Sequence, residues 1–150
     1  MKQEWRDYFL SGKWNSELWG QYQGYYDGIW RAYDFYNIKR EIVPFDSEFN
    51  NFLIELTGDT EFTYEVYHLH KYRPGDRFDE HNDALLNRKF AYCCELKPSD
   101  CNAKLVVDGQ RVDEAWFDVN TSHYVEEIKQ GHRYSLTVFG LHTPSSITLI

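Results

Sequence analysis

Residues 60–72, Thr60-Glu-Phe-Thr-Tyr-Glu-Val-Tyr-His-Leu-His-Lys-Tyr72, alternate with a period of two. That period belongs to a strand with one covered face, and no helix satisfies it. The even positions Phe62, Tyr64, Val66, His68, His70 and Tyr72 make up the face. The chain beyond Tyr72 keeps the same texture. Lys89 to Leu96 is a compact apolar run closed by a Pro98-Ser-Asp turn. Lys104–Val107 and Gln110–Val112 flank Asp108-Gly109, a dipeptide that suits a two-residue hairpin turn. Trp116–Val119 and Tyr124–Ile128 come next; Lys129-Gln-Gly131 then predicts a hairpin between the latter and His132–Phe139. Ser146–Ile150 reads as a final edge strand. About eight short strands in this arrangement fit a double-stranded β-helix, the jelly-roll barrel. Aromatics make up 18% of the 150 residues, with 12 Tyr and 5 Trp, and large rings suit pleated surfaces and line clefts.

Before residue 60 the spacing changes. Trp14, Leu18, Trp19, Tyr22, Tyr26, Ile29, Trp30 and Tyr33 fall close to a helical period. Gly20, Gly24 and Gly28 lie along one face of that helix, each costing it ~1 kcal/mol relative to Ala. The segment therefore reads as a helix packed closely along that face, covering the sheet or forming a homodimer face, or else as an aromatic-rich irregular segment. Lys39–Val43 reads as a strand ended by Pro44. Asp46 or Ser47 then caps a helix with Phe49, Phe52, Leu53 and Leu56 on its apolar side and Gly58 as its stop. The whole is a mainly β chain in one domain, with a helical, aromatic-rich part over residues 1–58 and a β core over 60–150.

A net charge of −8 argues against nucleic-acid partners, which need a basic footprint, and against an anionic membrane surface. No run of ~18 apolar residues is present to span a bilayer. The opening Met-Lys-Gln-Glu-Trp-Arg-Asp lacks the apolar core of a secretory leader. The 3 cysteines, Cys93, Cys94 and Cys101, lack metal-ligand spacing and read as free thiols of a reducing, cytoplasmic compartment.

The chemistry-bearing stretch is Tyr72-Arg-Pro-Gly-Asp-Arg-Phe-Asp-Glu-His-Asn-Asp83. On an extended backbone His81 and Asp83 point to the same side and can share one ion. Taken alone, such a pair is more often hydrogen-bonded in a polar loop. His123, in Thr121-Ser-His-Tyr-Val-Glu-Glu-Ile128, supplies a third ligand and completes a 2-His-1-carboxylate set that leaves metal positions open. Arg133 stands further on, on the inward face of Tyr134-Ser-Leu-Thr-Val-Phe139, where a buried guanidinium needs an anion. His68 and His70 form a second two-apart pair, read as structural or rim residues because Lys71–Asp76 holds no Glu to complete a cupin-type site. Arg73, Arg77, Arg88 and Arg111, in loops or at strand ends, could together shape a substrate groove; each singly reads as a solvated surface charge.

The series Tyr72-x-x-Gly75-x-x-Phe78-x-x-His81-x-Asp83, then His123, Gly131 and Arg133-Tyr-Ser-Leu-Thr-Val-Phe139, resembles the iron(II)/2-oxoglutarate-dependent oxygenases, in their prolyl-4-hydroxylase-like branch. The resemblance covers residues 62 to 140. It implies iron(II) held by His81, Asp83 and His123, with 2-oxoglutarate and O2 as co-substrates. It further implies that Arg133 grips the distal carboxylate of 2-oxoglutarate, that Tyr72 donates to it, and that Thr137 lines its pocket. The implied substrate is a prolyl residue in a peptide or protein. Two departures stand out: Asn102-Ala103-Lys104-Leu105 where the family usually has Gly-Gly-x-Leu, and Glu95 where relatives often carry a Tyr. Two rival readings share these residues: a zinc hydrolase on the same triad, and a non-enzymatic jelly roll binding carbohydrate through its aromatics.

Overall fold

The period-two segments form strands, and they fold into two sheets that face each other. In this computed structural model residues 1–12, 39–43, 47–60, 62–84 and 88–150 are described. In chain order the elements are α1 (Gln3–Gly12), β1 (Lys39–Val43), α2 (Ser47–Thr57), β2 (Tyr64–Tyr72), β3 (Phe78–His81) and β4 (Phe90–Glu95). They continue with β5 (Leu105–Val107), β6 (Gln110–Val112), β7 (Glu114–Asp118), β8 (His123–Val125) and β9 (Arg133–Gly140). The 5-stranded sheet runs β1-β2-β9-β4-β7 and the 4-stranded sheet β3-β8-β5-β6, with antiparallel pairing throughout.

Apolar burial divides at the large sheet. Between the sheets lie Tyr72, Phe78, Ala91, Leu105, Val107, Phe117, Val125 and Phe139. On the outer face of the large sheet Tyr67, Leu69, Tyr92, Leu136 and Val138 meet the helices through Phe9, Phe49, Phe52 and Leu53. Each of these side chains, fully covered, contributes roughly 1.5–3 kcal/mol. The Phe49 and Tyr67 rings stack with centroids 3.5 Å apart. As expected, α2 stops at Gly58, whose φ of +69° ends the helix in the left-handed region. Unanticipated was α1, although Trp5, Tyr8 and Phe9 are spaced for one helical face and pack in this outer cluster. The aromatic segment over 14–36, with its expected helix and dimer face, lies outside the described residues. Among the described residues no helix is long and apolar enough to cross a membrane.

Three expectations about strands need correction. First, β2 starts at Tyr64, and a register shift between Tyr64 and Val66 breaks the even face. Tyr64 consequently joins Tyr67 and Leu69 in the outer cluster, whereas His68, His70 and Tyr72 point inward. Second, β8 and β9 are not a hairpin. β8 pairs with β3 and β5 in the small sheet, and β9 with β2 and β4 in the large one. Ile128 breaks the run by bonding the backbone of the Pro-Gly turn instead: its N–H donates to the Asp76 carbonyl (2.9 Å) and its carbonyl accepts from Gly75 (2.7 Å). Lys129-Gln-Gly131 is thus a crossing between sheets. Third, residues 146–150 form no strand; a single backbone bond, Ile150 N–H to the Trp116 carbonyl (2.8 Å), ties them to the edge of β7.

Candidate metal centre

The Pro-Gly turn sets the start of the site. The Asp76 N–H donates to the Arg73 carbonyl (2.9 Å), and Gly75 takes a φ of +93°, which a type II turn demands at its third residue. The chain then enters β3, whose His81 is the direct cross-strand partner of His123 on β8. Strand pairing, rather than loop conformation, brings the two imidazoles together, with ring centroids 4.3 Å apart. Phe78 packs against His81 (4.0 Å) and Phe117 against His123 (4.8 Å). Asp83 is fixed by its own N–H, which donates to the Val119 carbonyl (2.9 Å).

The hydrogen bonds assign the ring nitrogens. His81 Nδ1 donates to the Asp79 carbonyl (2.7 Å) and His123 Nδ1 to the Thr121 carbonyl (2.9 Å). A carbonyl can only accept, so both Nδ1 atoms carry a proton and both Nε2 atoms are left to the site. They face the Asp83 carboxylate, His123 Nε2 at 2.8 Å from Oδ2 and His81 Nε2 at 3.5 Å from Oδ1. Nitrogen and oxygen atoms this close are joined by a shared cation, a proton in the metal-free protein or a metal ion when one is bound. Burial alone pushes the Asp83 carboxyl up; hydrogen bonds from His123 and His81 outweigh it and hold it well below the usual carboxylate range. One ligand atom from each of the three residues lies within 4.8 Å of the others, and backbone carbonyls on both Nδ1 atoms supply the outer support a metal site needs. The donor set fits a divalent ion that accepts imidazole and carboxylate.

A small pocket of about 40 Å³ opens from the triad toward the inner face of the large sheet. Arg133, only 2% exposed, lies in its wall. Its direct strand partner is Tyr72, and the guanidinium carbon sits 5.2 Å from that ring's centroid. Arg133 forms no ion pair among the described residues, and its Nε finds no hydrogen-bond partner there. Thr137 lies further along the same face of β9, its Oγ1 3.4 Å from Cys93 Sγ. Burial pushes the Cys93 thiol up to about 12 despite that hydrogen bond.

All six residues singled out from the sequence (His81, Asp83, His123, Arg133, Tyr72 and Thr137) line this one pocket. Four more polar or sulfur-bearing residues line it too: His68, His70, Cys93 and Ser135. His68 and His70 are therefore buried wall residues, not rim residues. Their alternation with Tyr72 along β2 was the available signal. Arg88 is also buried, against the expectation of a solvated charge: it grips Glu65 through Nε (2.8 Å) and Nη2 (3.1 Å) and stacks on the Phe139 ring (3.9 Å).

No protein-family model matches the sequence, and no curated protein is similar enough to be matched. Solved structures are similar in three dimensions. A viral collagen prolyl hydroxylase from Paramecium bursaria Chlorella virus 1, determined as a 2OG complex, superposes with a TM-score of 0.61 over 93% of this chain and 90% of its own, at 12% identity. The fold is a double-stranded β-helix. A 2OG-Fe(II) oxygenase family protein from Burkholderia pseudomallei shares that double-stranded β-helix with a TM-score of 0.53, 13% identity, and coverage of 83% of this chain and 81% of its own. On the double-stranded β-helix found here, the small sheet carries the two histidines and the large sheet carries Arg133.

Proposed function

We propose that the protein is an iron(II)- and 2-oxoglutarate-dependent dioxygenase that hydroxylates a C–H bond, with a prolyl residue of a peptide or protein as its substrate and succinate and CO2 as co-products. One observation carries the reading. A buried guanidinium, without an ion pair among the described residues, shares a pocket with a 2-His-1-carboxylate triad. A zinc hydrolase on the same triad leaves Arg133 without a task, and a carbohydrate-binding jelly roll leaves both features without one. The family resemblance of the sequence and the likeness to the viral hydroxylase support the choice of co-substrate and of the prolyl target.

On this reading His81, Asp83 and His123 hold iron(II), which supplies the one-electron chemistry that makes O2 reactive toward a C–H bond. Three protein ligands would leave further coordination positions to the reactants. Arg133 orients 2-oxoglutarate by pairing with its distal carboxylate in a water-poor pocket, where such a bond is strong. Tyr72 supplies a hydroxyl and Thr137 a second one along the same wall. Phe78, Leu105, Val125 and Phe139 exclude water from the remainder.

The test is an anaerobic titration of the metal-free protein with iron(II) and then 2-oxoglutarate, followed by visible absorption. A metal-to-keto-acid charge-transfer band is expected, and Arg133→Ala or His123→Ala should lose it. Absence of the band in the parent protein, with tight zinc binding instead, would bring the hydrolase forward. Turnover on prolyl peptides, read as succinate release, then decides the substrate.

A further inference from the structure

A buried carboxylate lies behind the pocket wall that holds Arg133 and Ser135. Glu95 lies on the inner face of β4, directly opposite Ser135 of β9. Arg133 sits two residues from Ser135 on the same face, so Glu95 and Arg133 are diagonal neighbours, at a spacing of ~7–8 Å that long side chains bridge. Glu95 is 0% exposed. A buried carboxylate and a buried guanidinium at this spacing would ordinarily pair, and a paired Arg133 has nothing left for a ligand.

They do not pair, and the reason is Lys104. Its Nζ lies 2.9 Å from Glu95 Oε2 and 2.8 Å from Asp113 Oδ1. Burial would lower this ammonium, but Asp113 and Glu95 outweigh burial and hold its proton more tightly than usual. Cys101 Sγ contacts the other oxygen, Glu95 Oε1, at 3.8 Å. We infer that Lys104 is a positioning residue for the co-substrate: by claiming Glu95 it keeps Arg133 open to an incoming carboxylate. The inference rests on the dioxygenase reading for the identity of that carboxylate. It also accounts for a buried acid next to an anion pocket, because Lys104 cancels its charge and Arg133 retains its own.

Two measurements test it. The first compares binding of 2-oxoglutarate and of pyruvate, which has the same keto acid but no distal carboxylate, to the iron(II)-loaded protein under anaerobic conditions. Lys104→Met should lower the preference for 2-oxoglutarate by roughly tenfold or more, the order expected when a buried charge loses its ligand. Iron(II) affinity should stay at the parent value. Lys104→Arg should retain the preference, and Lys104→Met/Glu95→Gln should restore it, which a merely structural role of Lys104 would not produce. An unchanged preference in a folded Lys104→Met protein overturns the inference.

The second measurement needs no ligand. With Lys104 in place, the effects of Glu95→Gln and Arg133→Met on the thermal midpoint should add; in the Lys104→Met background they should not, because the freed pair has formed. Additivity in both backgrounds overturns the inference. A parent protein with no preference for 2-oxoglutarate over pyruvate would instead overturn the co-substrate reading, and the thermal cycle alone would then judge Lys104.

Discussion

Replacing Arg133 with Met should make the ligand-free protein more stable while removing its affinity for 2-oxoglutarate. The guanidinium is 2% exposed, and its Nε is without a hydrogen-bond partner among the described residues. Exchanging a buried charged group for an apolar side chain of similar length is commonly neutral or stabilising, by about 1–4 kcal/mol. The exchange also forfeits the contact with the Tyr72 ring, which is worth roughly 0.5–2 kcal/mol. The balance is a gain of about 1–2 kcal/mol, or a rise in midpoint of roughly 2–8 °C for a chain of this length. Binding should move the other way. Removing one partner of a desolvated charge pair costs ~2–5 kcal/mol, which lowers affinity about 30-fold to several thousand-fold. Thermal unfolding of the metal-free protein and calorimetric titration of 2-oxoglutarate into the anaerobic iron(II) form read the two effects separately. A variant less stable than the parent would mean that the guanidinium is satisfied within the fold, and Arg133 as the anion anchor would have to be abandoned.

Gly131→Ala should be severely destabilising. The added Cβ would lie 1.9 Å from the Asp100 carbonyl oxygen, which is backbone, at a φ of +78°. A loss of roughly 2 kcal/mol or more is expected in urea unfolding. The three cysteines are buried and free, and burial raises each thiol, so a disulfide reagent at mild alkaline pH should label none of them until urea is added. Acid stability should depend on Asp83. Its carboxyl is held below the usual range, so its contribution is complete above the unfolded value of ~3.9 and fades as pH falls below it. Urea midpoints of the metal-free protein should therefore fall more steeply below about pH 4 than those of Asp83→Asn, and parallel curves would contradict the assigned pairing with the histidines.

Much of this was legible in the sequence, and what was not has identifiable causes. The Asp108-Gly109 hairpin was readable because both residues must take positive φ, as they do at 48° and 77°. The convergence of His81, Asp83 and His123 was readable from the spacing of His-x-Asp, although Asp83 lies beyond the end of β3 and is held by its bond to Val119. Strand partners were less accessible. Between Tyr124 and Phe139 the short Gly-containing connection looks like a hairpin turn; the competing bonds of Ile128 to Gly75 and Asp76 come from a segment far away in sequence. The β2 bulge hides in a regular alternation for the same reason, since a register shift is decided by partner strands. Misassigning it cost nothing at the pocket end, where His68, His70 and Tyr72 keep the period, but it sent Tyr64 to the wrong side. Lys104 and Glu95 could not be paired from sequence at all. One precedes β5 and the other ends β4, and only the crossing between sheets brings them within 2.9 Å.

The division of labour between the sheets has a consequence for how the site tolerates change. His81 and His123 are one register pair, and Phe78 and Val125, the other pair of the same two strands, are both buried between the sheets. The register shifts by one residue between the two pairs, and this bulge is what lets Phe78 and His81, three residues apart on β3, pair with Val125 and His123, two apart on β8. Tyr72 and Arg133 are likewise one register pair, in the other sheet. The distance from the triad to Arg133 is then set by how the two sheets pack, through Leu105, Val107, Phe117 and Phe139, and by no covalent neighbour. Substitutions that shrink this layer should alter 2-oxoglutarate binding before they alter iron(II) binding, because the triad lies within the β3–β8 unit and the loop that holds Asp83 to Val119, whereas the co-substrate must span the gap.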